Sequence, residues 1–258
     1  MAELAEIGFD TFEEKEETLL AYVEKEAFHM DAFKEVTSRY AAVFDFTFEL
    51  NEVEKVNWNK KWEENYNPIV VDDRCVVRAT FHENLGVYPI DIIINPQMSF
   101  GTGHHATTWQ MLKLQMDIDH AGKSVLDVGT GTGVLAIMAR KLGADRVEAT
   151  DIDDWCIENS RENFERNGIT DISTQCGDIL NLEFEERFDI LLANINKNVL
   201  LGQIEVYSGL LKKGGNLLLS GFYESDVKDI LACAKNQNLE LLMSSSKDNW
   251  VALVLVLA

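Results

Sequence analysis

The chain has 258 residues, of which 46% are hydrophobic and 26% charged, with a formal net charge of −21 at pH 7. This length allows one large α/β domain, or a catalytic domain of roughly 190 residues with a small appendage. The acidity disfavours a nucleic-acid substrate, because a protein that binds a phosphate backbone needs a basic surface. Such excess charge keeps a protein dispersed, and it also suits a basic protein partner.

The four cysteines are scattered along the chain without a C-x-x-C pair. Neither a disulfide framework nor a zinc site is indicated, and we expect no metal. No charged-then-apolar leader opens the chain, and its longest apolar run, residues 251–258, is too short to span a bilayer. We therefore expect a soluble cytoplasmic protein that binds no membrane, and we expect a monomer.

Residues 1–57 are predicted to form a small α+β module. A short helical stretch ends at Ile7 and is followed by candidate strands at 9–13 and 19–24 and a helix at 30–43. Residues 44–50 alternate apolar and polar side chains, as a half-buried strand does.

Residues 58–67 are predicted to form a linker helix. Trp58 and Trp62 lie four positions apart and therefore share one face of that helix. A helix that docks both tryptophans on its own domain is compatible with this interpretation.

The remaining residues, 68–258, are predicted to be one continuous α/β domain. Strands are predicted at 69–71, 75–79, 90–94, 124–128, 147–150, near 173, at 190–193 and at 216–220. Because helical segments separate the later strands, we expect a mainly parallel sheet that is covered on both faces. Residues 239–244 and 251–257 fit a closing antiparallel hairpin.

A glycine-containing segment, residues 95–108, precedes a predicted helix at 109–116. Thr107 or Thr108 can serve as the N-cap of that helix. The amide groups beyond the cap would suit a carboxylate. A tight loop that is capped but binds nothing is the alternative.

A second glycine-rich turn follows the predicted strand at 124–128 and reads D-V-G-T-G-T-G from Asp127 to Gly133. The next strand brings Asp151 to its carboxyl end, and in a βαβ unit an acidic residue about 20 positions past the turn accepts ribose hydroxyls. In the dinucleotide fingerprint G-x-G-x-x-G the third glycine comes one residue later than Gly133 does here. A bound pyrophosphate would give no reason for an acidic residue at Asp127. A ligand that carries a cationic amino acid end would, because its ammonium group can pair with the carboxylate. An ordinary strand-to-helix connection is the alternative.

These motifs resemble those of class I methyltransferases that use S-adenosylmethionine. The pattern F-G-T-G-x-H-x-T-T placed just before D-x-G-x-G-x-G resembles, more narrowly, the methyltransferases of large-subunit ribosomal protein eleven. The resemblance covers nearly the whole chain. It implies a small ferredoxin-like domain that grips the ribosomal protein, a linker, and a class I catalytic domain with a Rossmann-like sheet. It also implies methylation of lysine ε-amines and of the N-terminal α-amine.

The resemblance implies cofactor contacts by side chains and turn residues along the catalytic domain. They are Thr108, Gly129, Gly131, Gly133, Asp151 and Asn194. By the general class I pattern Asp178 would reach the adenine amino group, although an aspartate in an exposed turn is an equal alternative. Phe100 either shields the methionine arm or simply packs.

The segment from Asn194 to Lys197 lies where enzymes that methylate planar nitrogens carry N-P-P-Y. Without the stacking ring a flat amide or base is poorly held, whereas an aliphatic amine needs only hydrogen-bond acceptors. A lysine-like substrate is therefore favoured. The Asn194 side-chain oxygen or the Ile195 carbonyl is expected to orient the amine, and a simple turn asparagine is the alternative. His104 or His105 would assist proton loss unless it is a structural loop residue.

Two features depart from the family pattern. Ala106 stands where proline is common, which should affect loop stiffness more than chemistry. A ferredoxin-like order also needs an opening strand and a full helix, and this chain begins near the end of that helix. We therefore expect an N-terminally shortened recognition domain, and a module that is built differently is the alternative.

Three functions remain open from the sequence. The first is methylation of the basic ribosomal protein. The second is methylation of a small molecule or RNA by the same fold, because a fold does not fix a substrate. The third is cofactor binding without catalysis, which the intact motif set disfavours.

Overall fold

The computed structural model describes residues 1–16, 18–41, 43, 47–53, 67–95 and 106–258. The chain divides into two compact units, Met1–Lys61 and Trp62–Ala258. Apart from Asn67, the predicted linker helix lies outside the described residues. None of the helices in the described ranges is long and apolar enough to cross a membrane.

Within its described residues, the first unit contains two helices and a two-stranded sheet. The helices are α1 (Ala2–Glu6) and α2 (Met30–Tyr40), and the strands are β1 (Phe9–Lys15) and β2 (Thr18–Val23). The two strands pair in antiparallel fashion. Phe9, Phe28, Phe33 and Phe48 form an aromatic cluster whose ring centroids lie 4.9 to 6.3 Å apart. These strands and α2 match the sequence prediction.

The strand predicted at 44–50 is not found in its described part. Residues 47–50 have no regular secondary structure, and 44–46 lie outside the described residues. The Phe48 ring packs edge-on against Phe33, with the centroids 4.9 Å apart. At Phe48 the apolar side chain therefore packs on α2 and has no partner strand.

The second unit is built around a seven-stranded sheet. Its strands are β6 (Ser124–Val128), β7 (Arg146–Asp151), β8 (Ser173–Cys176), β9 (Phe188–Asn194), β10 (Leu211–Tyr223), β11 (Leu239–Lys247) and β12 (Trp250–Leu257). The order is β11-β12-β10-β9-β6-β7-β8. Strands β8, β7, β6, β9 and β10 are parallel, and β12 is antiparallel to β10 and β11. The predicted α/β class, parallel sheet and closing hairpin are confirmed.

A separate three-stranded sheet precedes the large one in the chain. It contains β3 (Ile69–Val71), β4 (Cys75–Ala79) and β5 (Ile90–Ile94), in the order β3-β4-β5. Strands β3 and β4 are antiparallel, and β4 and β5 are parallel. All three strands lie at the predicted positions.

Five α-helices complete the part of the second unit that the structure describes. They are α3 (Ala106–Met116), α4 (Val134–Lys141), α5 (Asp154–Arg166), α6 (Lys197–Leu210) and α7 (Val227–Asn236). Adjacent residues of the central strands enter different cores: in β9, Ile190 and Leu192 join the core that includes α3 and α4, while Leu191 and Ala193 join the core that includes α6 and α7. Because the sheet is buried on both faces, its strands read as continuous apolar runs.

Candidate functional site

The candidate site lies at the carboxyl ends of β6, β7 and β9. Strand β6 is hydrogen-bonded to β7 on one side and to β9 on the other. The chain order reverses between β6 and β9, and in open α/β sheets ligands bind at such a switch point. The glycine turn follows β6, Asp151 ends β7 and Asn194 ends β9.

The glycine turn uses most of its amide groups within the protein. The amides of Gly129 and Thr130 donate to the Thr150 carbonyl at 2.8 and 2.9 Å, and that of Gly133 donates to the Thr130 carbonyl at 2.8 Å. The Gly131 amide donates to Asp151 Oδ2 at 2.9 Å. A pyrophosphate cradle would need such amides unpaired, so these four amides do not form one.

The glycines matter instead for shape. Gly129, Gly131 and Gly133 have φ of +69°, +54° and +79°, a region that favours glycine. A Cβ atom on Gly129 would lie 2.7 Å from Ile195 Cγ2, and one on Gly133 would lie 2.5 Å from Phe164 Cε1. The turn can therefore pack against both β9 and α5 only without side chains at these positions.

Asp151 is buried at the end of β7. Its Oδ2 accepts the Gly131 amide at 2.9 Å, and its Oδ1 accepts the Asp153 amide at 3.1 Å. A carboxylate has about four lone-pair sites. Each oxygen can therefore still accept one hydroxyl while the backbone fixes its direction.

Asp151 also lies close to two other groups that bind metals in many proteins. The ligand atoms of Asp151, Asp153 and Cys156 lie within 4.8 Å of one another. Burial and the neighbouring carboxylates raise the pKa of the Cys156 thiol to about 12. Exposed acidic groups commonly lie this close together without an ion, so we assign no metal to this group.

Asp127 is fully buried beneath the glycine turn. Its Oδ2 accepts the Thr130 hydroxyl at 2.7 Å, whereas Oδ1 has no well-formed hydrogen bond to the described residues. Burial raises the pKa of Asp127 to about 7, and the Thr130 hydroxyl and the Ala136 amide oppose that rise. A buried carboxylate with one unpaired oxygen favours a nearby cation.

Thr108 and Asn194 are brought together from distant parts of the chain. Asn194 Nδ2 donates to Thr108 Oγ1 at 3.3 Å, across a separation of 86 residues. The prediction that Thr107 or Thr108 caps α3 is wrong, because the helix begins at Ala106 and both threonines are buried in its first turn. Thr108 therefore presents its hydroxyl to β9 from inside the helix.

Ile195 occupies a narrow space between the glycine turn and β10. Its amide donates to the Ser220 carbonyl at 3.1 Å, which continues the pairing of β9 with β10. A Cβ atom on Gly221 would lie 2.2 Å from the Ile195 carbonyl oxygen, and Gly221 has a φ of +100°. Sequence reasoning missed Gly221, although a glycine within a strand can signal a close backbone approach.

The next two residues of this segment have structural partners. Asn196 caps α6 by accepting the Val199 amide at 3.2 Å. Lys197 forms ion pairs with Asp226 and Asp229 at 2.9 and 2.6 Å. Of the four residues from Asn194 to Lys197, only Asn194 and Ile195 have neither a capping role nor an ion pair. These two residues line the end of β9.

Asp178 follows β8 and is half-buried. Its Oδ1 accepts the Leu180 amide at 3.1 Å and Gln203 Nε2 at 3.4 Å. No hydrogen bond from the described residues reaches Oδ2. The structure therefore places Asp178 in a turn, with one oxygen committed to that turn and the other available.

Two of the predicted site residues, Phe100 and His104, lie outside the described residues, as does His105. A further residue that the sequence analysis missed is Ile152, directly after Asp151. Its side chain is 71% exposed. An apolar residue that follows an acidic strand end is the signal that could have identified it, since apolar side chains line ligand sites.

Comparison with known proteins is consistent with this geometry. The family model described as "Ribosomal protein L11 methyltransferase (PrmA)" matches residues 3–257. A ribosomal protein L11 methyltransferase of Porphyromonas gingivalis is 45% identical over 256 residues, which cover 98% of this chain and 88% of that protein. One of Bacteroides fragilis is 40% identical over 258 residues, covering 99% and 92%.

A solved structure extends the comparison to the fold. The crystal structure of ribosomal protein L11 methylase from Lactobacillus delbrueckii subsp. bulgaricus superposes with a TM-score of 0.67 at 28% identity, covering 74% of this chain and 97% of that one. The match of the family model along nearly the whole length and the identity to curated relatives lead to one conclusion. This chain belongs to the ribosomal protein L11 methyltransferase family.

Proposed function

We propose that this protein transfers methyl groups from S-adenosylmethionine to amines of ribosomal protein L11. The observation that carries the proposal is the meeting of Asn194 and Thr108 beside the glycine turn. This meeting brings hydrogen-bonding groups for an amine to the end of β9, next to the turn that would hold the cofactor. The family of the chain supplies the identity of the substrate.

The residues at the switch point fit S-adenosylmethionine better than a dinucleotide. Asp151 would accept the ribose hydroxyls, and the unpaired Oδ1 of Asp127 suits the ammonium of the methionine end. Asp178 Oδ2 would accept the adenine amino group, and exposed Ile152 offers an apolar surface to the base. The amides of Gly129, Thr130, Gly131 and Gly133 are already paired within the protein, which leaves no cradle for a pyrophosphate.

The acceptors at the end of β9 would orient the substrate amine. Because Asn194 Nδ2 donates to Thr108, its side-chain oxygen is directed by that hydrogen bond. The Ile195 carbonyl is held by the close approach of Gly221. A tetrahedral amine needs acceptors aimed at its protons, and both oxygens are fixed before the substrate arrives.

The bound cofactor supplies an electrophilic methyl group, and the protein supplies alignment. The attacking amine must be neutral, although its ordinary pKa is about 10.4 for a lysine. Removal of the amine from water lowers that pKa. The rate enhancement then comes mainly from orientation and exclusion of water, and no covalent enzyme intermediate is needed. For the two roles that the sequence left open, we propose His104 as the proton acceptor and Phe100 as the shield of the methionine arm.

The unit at the N-terminus is proposed to recognise the ribosomal protein, with residues 58–67 as linker and 68–258 as the catalytic domain. The net charge of −21 favours a basic protein and disfavours direct binding of nucleic acid. The proposed targets are lysine ε-amines and the N-terminal α-amine. We place the protein in the cytoplasm, where ribosomal proteins are assembled, as a monomer.

The proposal is tested by incubating the protein with S-adenosylmethionine and purified ribosomal protein L11 and following the mass of L11. We expect several additions of one methyl each, and none with Asn194→Ala. Cofactor binding without any change in the mass of L11 would contradict the proposed substrate. Absence of cofactor binding would contradict the proposed reaction.

The competing function is methylation of a small molecule by the same site. It leaves the first unit without a role, although that unit has its own aromatic cluster and ion pairs. Charge-reversal variants on its surface separate the two functions. Asp10→Lys combined with Glu14→Lys should slow methylation of L11 and leave cofactor affinity unchanged, whereas unchanged methylation of L11 would contradict this recognition role.

A further inference from the structure

Asn163 of helix α5 connects two segments of the candidate site that are far apart in the chain. Its side chain is fully buried. Oδ1 accepts the Asn95 amide at 2.7 Å, and Nδ2 donates to the Thr132 carbonyl at 2.9 Å. Asn95 is the first residue after β5, where the glycine-containing segment 95–108 begins, and Thr132 lies in the glycine turn. One side-chain amide therefore joins the start of the segment 95–108 to the glycine turn.

We infer that Asn163 is a positioning residue for the cofactor: it holds the glycine turn at a fixed distance from the strand end that precedes the other cofactor segment. This inference rests on the proposed function, because it assumes that the turn binds S-adenosylmethionine. Asn163 does not touch the cofactor in this account. It acts through Thr132 on one side and Asn95 on the other.

In the glycine turn, Asn163 bonds to the peptide group between Thr132 and Gly133. Both polar atoms of that peptide group are hydrogen-bonded. The Thr132 carbonyl accepts Asn163 Nδ2, and the amide of the same peptide, that of Gly133, donates to the Thr130 carbonyl at 2.8 Å. A peptide held at both ends cannot rotate without breaking a buried hydrogen bond. The path of the turn is thus set by α5 as well as by β7.

Helix α5 also reaches the turn by direct packing. A Cβ atom on Gly133 would lie 2.5 Å from Phe164 Cε1 and 3.1 Å from Ser160 Cβ. These two residues flank Asn163 on the same helix. Helix and turn therefore lie in contact without an intervening side chain from the turn, and small movements of α5 are transmitted to it.

The strand side of the link is shared with a second asparagine. Strand β5 is at the edge of its sheet. Asn167 Oδ1 accepts the Ile93 amide at 3.0 Å, and its Nδ2 donates to the Ile93 carbonyl at 2.7 Å. Asn163 and Asn167 lie four positions apart and face the same strand. Together they pair the outer edge of β5 as a neighbouring strand would.

The difference between these two asparagines isolates the positioning role. Asn167 bonds β5 and the Asn163 carbonyl, and no hydrogen bond in the described structure joins it to the glycine turn. Asn163 alone of the pair holds both β5 and the turn. The need to accept on one side and donate on the other explains an amide here, since a carboxylate has no proton to donate and a hydroxyl is shorter.

The test compares Asn163→Ala with Asn167→Ala. For each variant the affinity for S-adenosylmethionine is measured by calorimetry, the unfolding midpoint by urea titration, and KM and kcat with L11. We expect Asn163→Ala to weaken cofactor affinity and raise the cofactor KM about tenfold, with kcat at saturating cofactor changed much less. Asn167→Ala should lower the unfolding midpoint but keep the cofactor affinity within about twofold of the original protein.

Equal affinity in Asn163→Ala and the original protein, or an equal loss in both variants, would overturn the inference. If the original protein itself binds no S-adenosylmethionine, the proposed function fails instead, so the two failures are distinguishable. Asn163→Asp covers the case in which the alanine variant does not fold. Because burial raises the pKa of a carboxyl group, its affinity is measured at about pH 9, where the ionised side chain keeps an acceptor for the Asn95 amide but has no proton for the Thr132 carbonyl. We expect weakened cofactor binding relative to the original protein at the same pH, and unchanged affinity would contradict the link to the turn.

Discussion

The side chain of Asn194, at the end of β9, donates a hydrogen bond of 3.3 Å to the hydroxyl of Thr108 in the first turn of α3. This contact aligns the oxygen of the same amide, which the proposed mechanism uses to orient the substrate amine. The Thr108 hydroxyl is buried, so no solvent replaces it when it is removed.

Thr108→Val should lower kcat/KM for methylation of L11 about tenfold, because loss of one oriented hydrogen bond corresponds to about 1.4 kcal/mol. Thr108→Ser keeps the hydroxyl and should retain most of the activity. The measurement is the initial rate of methyl incorporation at several L11 concentrations. Equal rates for the valine and serine variants would contradict a role for the hydroxyl.

Gly221→Ala should disturb the end of β9 through its backbone. The added Cβ would lie 2.2 Å from the Ile195 carbonyl oxygen, and a φ of +100° strains any residue with a side chain. We expect a loss of stability of about 1–3 kcal/mol and a fall in kcat of at least about tenfold. Urea unfolding and initial methylation rates provide the two measurements.

Gly202→Ala is the matched control for that substitution. Gly202 lies in α6, and a Cβ atom there would meet nothing within 4 Å. Alanine should therefore stabilise the helix by about 0.5–1 kcal/mol and leave methylation unchanged. If Gly221→Ala is as active as Gly202→Ala, the position of the Ile195 carbonyl does not matter for methylation. That result would contradict the prediction for Gly221.

Asp127 should make stability fall as the pH rises from about 4 to about 7. Its pKa is about 7 in the folded protein and about 3.9 in the unfolded chain, so the folded state holds a proton that the unfolded state has released within this window. Asp127→Asn removes this penalty. The variant should gain up to roughly 4 kcal/mol relative to the original protein between pH 4 and pH 7. The check is urea unfolding of both proteins at several pH values, and a pH-independent difference would be contrary evidence.

Asp189 should have the opposite pH dependence. Burial alone would raise its pKa, but the Lys212 ammonium at 2.8 Å and the Ser124 amide and hydroxyl at 2.9 and 2.8 Å lower that pKa to about 2. The stabilisation is present above about pH 4, the pKa of the unfolded chain, and is lost as the pH falls through about 2.

Asp189→Asn should therefore cost about 2 kcal/mol of unfolding free energy at pH 7, and the gap to the original protein should close between pH 4 and pH 2. Unfolding curves of both proteins across this range give the gap directly. Because these residues lie at the amino ends of β6 and β9, away from the candidate site, cofactor affinity at pH 7 should be unaffected. A gap that persists unchanged at pH 2 would contradict the ion-pair explanation.

Most strands could be predicted from local pattern. β3, β4 and β5 lie at the predicted residues, because continuous apolar runs bounded by turn residues identify buried strands. The prediction of a strand at residues 47–50 was wrong. In this segment the Phe48 ring packs on Phe33, and residues 47–50 have no partner strand. Phe48 and Leu50 are 47% and 55% exposed, so the alternation at these residues indicated neither burial nor a partner strand.

The start of α3 was predicted less well. Both threonines at 107 and 108 are plausible caps by residue type, yet the helix begins at Ala106. Helix ends depend on contacts outside the helix, and here Thr108 is committed to Asn194 from another part of the chain. A local rule had no access to that partner.

The sequence by itself determined the fold class, the family and the two acidic groups of the candidate site, Asp127 and Asp151, because these depend on local apolar runs and on motifs whose residues lie close together in the chain. Only the tertiary structure decided how the site is held together. Asn163 meets Asn95 and Thr132 across 68 and 31 residues, and Gly221 meets Ile195 across neighbouring strands. Such contacts arise when separate elements pack in three dimensions, and no spacing rule along one chain encodes them.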